Sequence, residues 1–159
     1  MPTVERTFVV RAPLAKVWDY LSDFVRLGSA LPGCERVEIL SSRETDWYMD
    51  RKVGLIRKRF VVRTETTEFD APRHAAWIGE SKELSISGSV KLQGVDASRT
   101  SVTYAGAVRA KGPARQILNR YFKSRLESEI DEFVRNVRAK LEPEPDASTD
   151  PGAENGSVP

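Results

Sequence analysis

The longest regular pattern of apolar positions lies near the end of the chain, between Gly112 and Leu141. Apolar residues recur there every three or four positions among mostly charged or amide residues, which is the spacing that gathers side chains on one face of a helix. Gly112 and Pro113 mark its start, and Pro143 prevents its continuation. The pattern therefore predicts a long amphipathic helix. Its apolar stripe consists of Ile117, Leu118, Tyr121, Phe122, Leu126, Ile130, Phe133, Val134, Val137 and Leu141.

Before this helix the pattern is mostly that of strands, with one helical interruption. Residues 3–11 alternate polar and apolar side chains and predict a first strand. Residues 13–25 then repeat apolar side chains at helical spacing, and a second short helix is predicted between residues 27 and 35. Alternation returns afterwards and predicts six more strands, at residues 36–40, 46–53, 56–68, 75–81, 83–95 and 100–109.

The order of these elements predicts an α+β fold. Breakers such as Gly54, Pro72 and Lys82 leave only hairpin-length connections between the strands, so the sheet is expected to be mostly antiparallel. The terminal apolar stripe is long and aromatic, and a sheet is the partner wide enough to cover it. We therefore expect a seven-stranded antiparallel sheet curved around the terminal helix, with two short helices after the first strand.

Composition divides the chain into one domain and a tail. Of the 159 residues, 1–142 are predicted to form the domain, whereas residues 143–159 hold four prolines, two glycines and four acidic residues and are expected to be disordered. Without that tail the chain has 25 basic and 19 acidic residues, which favours anionic surfaces. A single cysteine excludes an internal disulfide, and no apolar run has the length of a membrane span or the context of a signal peptide. We expect a cytoplasmic protein.

Several predicted inward positions are unlike those of a solid core. Alternation places Arg51 and Glu68 on the inner faces of their strands, and glycines interrupt three strands at Gly79, Gly88 and Gly106. Large apolar groups, small gaps and a few polar groups describe a pocket lining. The alternative is that the glycines mark bulges and that both charged residues lie at exposed strand ends. The predicted cavity lining is Trp18, Leu21, Trp47, Met49, Arg51, Phe60, Val62, Trp77, Ile86, Val90, Tyr104, Phe122, Leu126 and Ile130.

The three tryptophans of the chain, Trp18, Trp47 and Trp77, all fall on predicted inner faces. They are interpreted either as core residues or as stacking faces for a flat conjugated ligand such as a quinone or a polyketide ring. Basic residues are not interleaved with exposed aromatic residues, and this argues against a nucleic-acid partner.

Few residues in the sequence could carry catalysis. His74, the only histidine, is predicted to lie in a surface turn, and Cys34 is predicted to be a small packed side chain. Arg51 and Tyr104 could polarise a ligand carbonyl, although a tyrosine on a strand is also a common core residue. The sequence contains no recognisable metal site, nucleophilic triad, phosphate loop or dinucleotide fingerprint, and no cofactor is expected.

Local motifs in the first quarter of the chain carry a family resemblance. An alanine and a proline precede the first helix, "VWDYLSD" lies at residues 17–23, and "LPGCE" lies at residues 31–35. With weaker matches at residues 70–80 and 100–108, these motifs resemble the CoxG group of carbon monoxide dehydrogenase proteins, within the START-like, Bet v 1-like helix-grip superfamily. The resemblance implies a seven-stranded sheet gripping the terminal helix, with a cavity for an apolar ligand between them.

The resemblance also implies a function, which leaves alternatives open. It favours a non-enzymatic protein that binds a lipid or a quinone and serves an oxidoreductase of the molybdenum hydroxylase type at the membrane. One alternative is a cyclase or dehydratase that uses the same cavity, and another is an assembly factor that binds a partner protein. The only polar candidates predicted in the pocket are Arg51, Tyr104 and Glu68, without a second base, so binding is favoured over catalysis.

The predicted hairpin "RKVGLIRKRF", residues 51–60, departs from the glycine-rich hairpin of the group it resembles. Its tip carries two large aliphatic residues, Leu55 and Ile56, and basic residues flank the tip on both sides. An apolar tip within a basic collar is typical of docking on an anionic membrane, whereas the alternative is that the tip folds against the helix stripe. The membrane-facing residues predicted are Leu55, Ile56, Arg57, Lys58 and Arg59.

Overall fold

The computed structural model describes residues 2–143, so the tail predicted at residues 143–159 lies outside the described residues apart from Pro143. Helices and strands follow the predicted order. The helices are α1 (Leu14–Ser22), α2 (Phe24–Ala30) and α3 (Arg115–Leu141). The strands are β1 (Thr3–Val10), β2 (Cys34–Ile39), β3 (Glu44–Val53), β4 (Ile56–Asp70), β5 (His74–Glu80), β6 (Leu84–Asp96) and β7 (Arg99–Ala110).

All seven strands form one antiparallel sheet in the order β1-β7-β6-β5-β4-β3-β2. Strands β2 to β7 follow one another as hairpins, because each connection is too short for a parallel crossover. β1 pairs with β7, with Val4 opposite Gly106 and Phe8 opposite Val102. The long helix α3 packs against the β1 and β7 side of the curved sheet. This architecture confirms the predicted α+β helix-grip fold.

The apolar stripe of α3 is buried or partly buried as predicted, except at one position. Leu118, Phe122 and Val137 are buried, whereas Ile117 is 61% exposed. Neighbouring residues on a helix differ in direction by about 100°. Because Leu118 points to the sheet, Ile117 points away from it, and its inclusion in the stripe was wrong.

The two short helices separate at Asp23, which is earlier than predicted. The Asp23 carboxylate accepts a hydrogen bond from the Arg26 backbone N–H at 3.2 Å, so Asp23 acts as the N-cap of α2. Phe24 and Val25 therefore belong to α2 and not to the first helix. α2 packs on β2 and closes one side of the space above the sheet.

Two groups of buried side chains hold α3 in place. One group joins its C-terminal half to α1 and β1, with Val10, Val17 and Val137 completely buried. The other group joins its N-terminal half to the strand ends, where Leu118 and Phe60 pack together in one cluster. Residues of both groups also border the cavity described next.

Candidate ligand cavity

A cavity of about 310 Å³ lies between α3, the α1–α2 pair and the concave face of the sheet. Small-molecule sites occupy roughly 300–1,000 Å³, so this volume is at the lower end of that range. The structure brings all fourteen residues predicted for the lining to this one space: Trp18, Leu21, Trp47, Met49, Arg51, Phe60, Val62, Trp77, Ile86, Val90, Tyr104, Phe122, Leu126 and Ile130.

Aromatic rings form much of the wall, and their neighbours fix them. The Trp47 Nε1–H donates to Thr64 Oγ1 at 2.8 Å, so the polar atom of this buried indole is satisfied. The Trp77 and Tyr104 ring centroids lie 6.2 Å apart, and burial raises the pKa of the Tyr104 hydroxyl. Tyr104 is therefore a neutral phenol at the cavity wall.

Two glycines make room for these rings on the sheet. Trp77 lies opposite Gly88 on β5 and β6, and Gly88 lies opposite Gly106 on β7. A Cβ atom on Gly88 would lie 2.5 Å from the Trp77 indole, and one on Gly106 would lie 2.7 Å from the Tyr104 hydroxyl. Glycine at these two positions lets both rings lie close to the backbone.

The polar end of the cavity is an ion pair between β3 and α3. Arg51 Nη2 donates to Glu129 Oε1 at 3.1 Å, and Arg51 Nη1 donates to the Pro32 carbonyl. Both side chains are largely buried, at 13% and 23% exposure, and burial raises the pKa of the Glu129 carboxyl although Arg51 opposes this effect. The Arg51 Nε–H is buried without a hydrogen-bond partner among the described residues.

The "LPGCE" motif has a structural role at this ion pair. Gly33 adopts a left-handed backbone with φ of 78°, and an added Cβ there would lie 1.8 Å from Arg51 Nη1. Only glycine combines this conformation with so close an approach. The motif therefore brings the loop after α2 against the Arg51 guanidinium.

The sequence interpretation missed 16 of the 30 lining residues, and Phe24, Phe69 and Glu129 are among them. Glu129 lies three residues after Leu126 on the inner side of α3, so helical spacing could have identified it. Phe69 was missed because β4 contains a bulge between Thr66 and Glu68 that shifts the alternation. After the bulge Phe69 faces the cavity, 5.4 Å from the Trp18 ring, yet it is 59% exposed.

The same bulge corrects the predicted position of Glu68. Its side chain is exposed and lies 3.4 Å from His74 Nδ1 outside the cavity, so it cannot pair with Arg51. His74 is the first residue of β5 and not part of a turn, although it is not a lining residue.

Cys34 is half-buried, and its thiol donates to the Arg36 carbonyl at 3.6 Å. Burial raises the pKa of this thiol, which favours its unreactive form.

The β3–β4 hairpin extends away from the cavity with an exposed tip. Leu55 is 99% exposed and Ile56 is 65% exposed, so the alternative that they fold against the helix stripe is wrong. The basic collar is mostly paired with acidic residues. Arg57 pairs with Asp50, Lys58 with Glu83 at 2.7 Å, and Arg59 with Glu35 at 3.8 Å.

Across residues 2–143, no group of three or more histidine, cysteine, aspartate or glutamate side chains is arranged to hold a metal ion. None of the helices in this part of the chain is long and apolar enough to cross a membrane.

Comparison with solved structures shows the same fold at low sequence identity. A conserved protein from Geobacillus kaustophilus is 17% identical with a TM-score of 0.75, covering 87% of this chain and 93% of its own. A START superfamily protein from Mycobacterium smegmatis is 13% identical with a TM-score of 0.72, covering 88% and 97%. The Zhui aromatase/cyclase from Streptomyces sp. R1128 is 19% identical with a TM-score of 0.63, covering 87% and 94%.

The comparison with curated proteins found no match. The family described as "Polyketide cyclase / dehydrase and lipid transport" matches residues 1–142, which is nearly the whole chain. Together with the START-like fold, this match confirms the predicted superfamily, and the chain belongs to the polyketide cyclase/dehydrase and lipid transport family.

Proposed function

We propose that the protein binds an apolar small molecule in its cavity without catalysing a reaction on it. The observation that carries this proposal is the lining, in which three tryptophans and many aliphatic side chains surround about 310 Å³. Removing apolar surface from water is favourable by about 25 cal/mol of free energy per Å², and an apolar ligand would bury such surface in this cavity. A family description that includes lipid transport also supports the proposal.

The polar end supports a ligand with one polar group. The Arg51 Nε–H has no partner in the described residues, and the neutral Tyr104 hydroxyl borders the same space. A buried donor without a partner costs about 1–3 kcal/mol, and a ligand oxygen would remove that cost. A lipid with a carbonyl group or a quinone has an apolar body and such an oxygen.

A matched pair of substitutions tests whether the cavity is the binding site. Ala75 of β5 borders the cavity. Ala105 of β7 directly follows Tyr104 and therefore lies on the sheet face that points away from the cavity. Ala75→Leu should weaken binding of the neutral probe N-phenyl-1-naphthylamine at least about tenfold, equivalent to about 1.4 kcal/mol. Ala105→Leu makes the same chemical change outside the cavity and should leave binding unchanged. Equal binding by both variants in a fluorescence titration would contradict the proposal.

Native mass spectrometry of the purified protein, followed by organic extraction, tests the identity of the ligand. An extracted lipid or quinone that is chemically unchanged after incubation supports a binding protein.

A second candidate function is cyclase or dehydrase chemistry, which is favoured by the family description and by the position of Arg51 and Tyr104 at the cavity. Conversion of a linear polyketide mimic, lost in Arg51→Gln, would support that candidate. An empty cavity would favour the assembly factor.

We also propose that the ligand serves an oxidoreductase of the molybdenum hydroxylase type. This part depends on the resemblance of residues 8–40 to the CoxG group of carbon monoxide dehydrogenase proteins. Extraction of a redox-active quinone would support it, whereas extraction of a redox-inactive lipid would oppose it.

Finally, we propose that the hairpin tip docks on an anionic membrane at the cytoplasmic face. The exposure of Leu55 and Ile56 supports insertion, but the paired collar reduces the charge that the hairpin can contribute. Binding to phosphatidylserine vesicles should be lost in a folded Leu55→Asp, Ile56→Asp variant. Unchanged sedimentation of that variant with vesicles would contradict insertion of the tip.

A further inference from the structure

The charge of the chain is strongly asymmetric around the start of α3. No acidic residue occurs between Asp96 and Glu127, although the whole chain has 23 acidic residues. Within this interval lie seven basic residues, which continue from β7 through the first three turns of α3. They are Arg99, Arg109, Lys111, Arg115, Arg120, Lys123 and Arg125.

The basic residues on the outer side of α3 are available to a partner. Arg120 and Lys123 are exposed, and neither forms an ion pair with an acidic side chain of residues 2–143. This contrasts with Arg57 and Lys58 of the hairpin, which are both paired. Among the described residues, exposed positive charge without an acidic partner is therefore found on α3, whereas on the hairpin only Lys52 is left unpaired.

An exposed aliphatic side chain lies among these charges. Ile117, Arg120 and Lys123 follow one another at intervals of three residues, so they are neighbours on the outer surface of the helix. Ile117 is 61% exposed. We call the surface formed by Ile117, Arg120 and Lys123 the α3 basic face.

The α3 basic face and the hairpin tip lie at the same end of the fold. The Lys111 backbone N–H, just before α3, donates to the Glu83 carbonyl at 2.8 Å, and Lys58 of the hairpin pairs with the Glu83 side chain at 2.7 Å. Leu118 of α3 also packs in one cluster with Val53, which precedes the hairpin turn. One flat partner could therefore reach both surfaces.

We propose that the α3 basic face binds the anionic headgroups of a lipid bilayer. This inference deepens the membrane part of the proposed function, because it assigns the electrostatic attraction to α3 and the aliphatic insertion to the hairpin tip. Exposed aliphatic residues at Leu55, Ile56 and Ile117 gain free energy by entering hydrocarbon, which a nucleic acid or a dissolved phosphate does not offer. Docking at this end places the neighbouring part of the cavity wall, at Phe122, close to the membrane.

Co-sedimentation with phosphatidylcholine vesicles, with and without phosphatidylserine, tests the inference on the full chain. A basic residue near an anionic surface contributes about fivefold to the binding constant, so Arg120→Gln with Lys123→Gln should weaken binding about 25-fold. The control is Lys16→Gln with Arg43→Gln, which removes the same charge from α1 and the β2–β3 turn. Binding of wild-type protein should also weaken as salt is added.

The control pair separates a local surface from a general effect of net charge. Unchanged binding by the α3 pair, or equal weakening by the control pair, would overturn the inference. Equal binding to phosphatidylcholine alone would overturn it as well, as would binding to a short DNA duplex without binding to vesicles. Binding of N-phenyl-1-naphthylamine in vesicle-free solution tests the cavity alone. A failure of the ligand proposal can therefore be distinguished from a failure of the membrane inference.

Discussion

Leu118 and Leu126 lie about two turns apart on α3, yet they have different surroundings. Leu118 is 1% exposed and packs with Val53, Leu84 and Ala110, which lie at the ends of β3, β6 and β7. Leu126 is partly exposed and borders the cavity. The same apolar stripe is therefore solid core at the start of the helix and the wall of a cavity further along.

The residues that face the helix explain this difference. Near Leu118 the converging strand ends present large side chains that fill the space. At the cavity the sheet carries Gly88 and Gly106 in register, which let the Trp77 and Tyr104 rings lie close to the backbone. These two rings border the remaining space without filling it. A cavity in this fold thus depends on small residues in the sheet as much as on the helix.

The largest expected effect is loss of stability on truncating the packed leucine. Leu118→Ala should lower the free energy of unfolding by about 2–5 kcal/mol, because it leaves a void in close-packed surroundings. Ile117→Ala is the matched control at an exposed neighbouring position and should change stability by less than about 0.5 kcal/mol. Urea denaturation measures both values. A loss below about 1 kcal/mol for Leu118→Ala would contradict solid packing at this end.

A smaller effect is expected when the floor of the cavity is raised. Gly88→Ala should lower stability by about 1–3 kcal/mol, because its Cβ would lie 2.5 Å from the Trp77 indole and must displace it. Gly94→Ala, on the same strand with no atom within 4 Å of its Cβ, is the control. Thermal unfolding and near-ultraviolet circular dichroism report stability and the indole position. Identical stability and identical spectra for both variants would show that glycine at position 88 is not required for the position of the Trp77 indole.

Truncation of the cavity leucine should affect stability less than truncation of the packed one. Leu126→Ala should lower the free energy of unfolding by less than about 1 kcal/mol, since its side chain already borders a space. The enlarged cavity should bind a bulkier probe more tightly than the wild-type cavity does. A stability loss as large as that of Leu118→Ala, with unchanged probe binding, would contradict the distinction between core and wall.

The smallest expected effect is a pH dependence of stability from Glu129. Burial raises the pKa of its carboxyl in the folded protein, so the native state holds the proton to higher pH than the unfolded state. Between the ordinary and the raised pKa the native state binds more protons, and stability therefore falls as pH rises through that window. Glu129→Gln should remove this slope in urea denaturation at a series of pH values. Parallel pH profiles for variant and wild type would contradict it.

Apolar periodicity allowed most of the fold, and fourteen of the thirty lining residues, to be predicted. The patterns of the strands, the first short helix and the stripe of α3 place fourteen residues on inner faces, and all fourteen border the cavity. Prediction failed where one residue changes the phase, as in the β4 bulge that turns Phe69 inward and Glu68 outward. It also failed where the partner is distant in sequence, because Arg51 pairs with Glu129, 78 residues away.

By itself, the sequence determined which face of each element is apolar, and the short connections made the sheet antiparallel. Local chemistry also fixed the break between the short helices, since Asp23 caps α2. Only the tertiary structure decided which apolar residues fill space and which border it, because that depends on side chains that meet across the fold. It likewise decided which basic residues are paired, since the acidic partners of Arg59 and Lys58 come from other strands and turns. Apolar periodicity shows to which side of a helix or strand each side chain points. Packing and charge pairing depend instead on the distances between helices and strands.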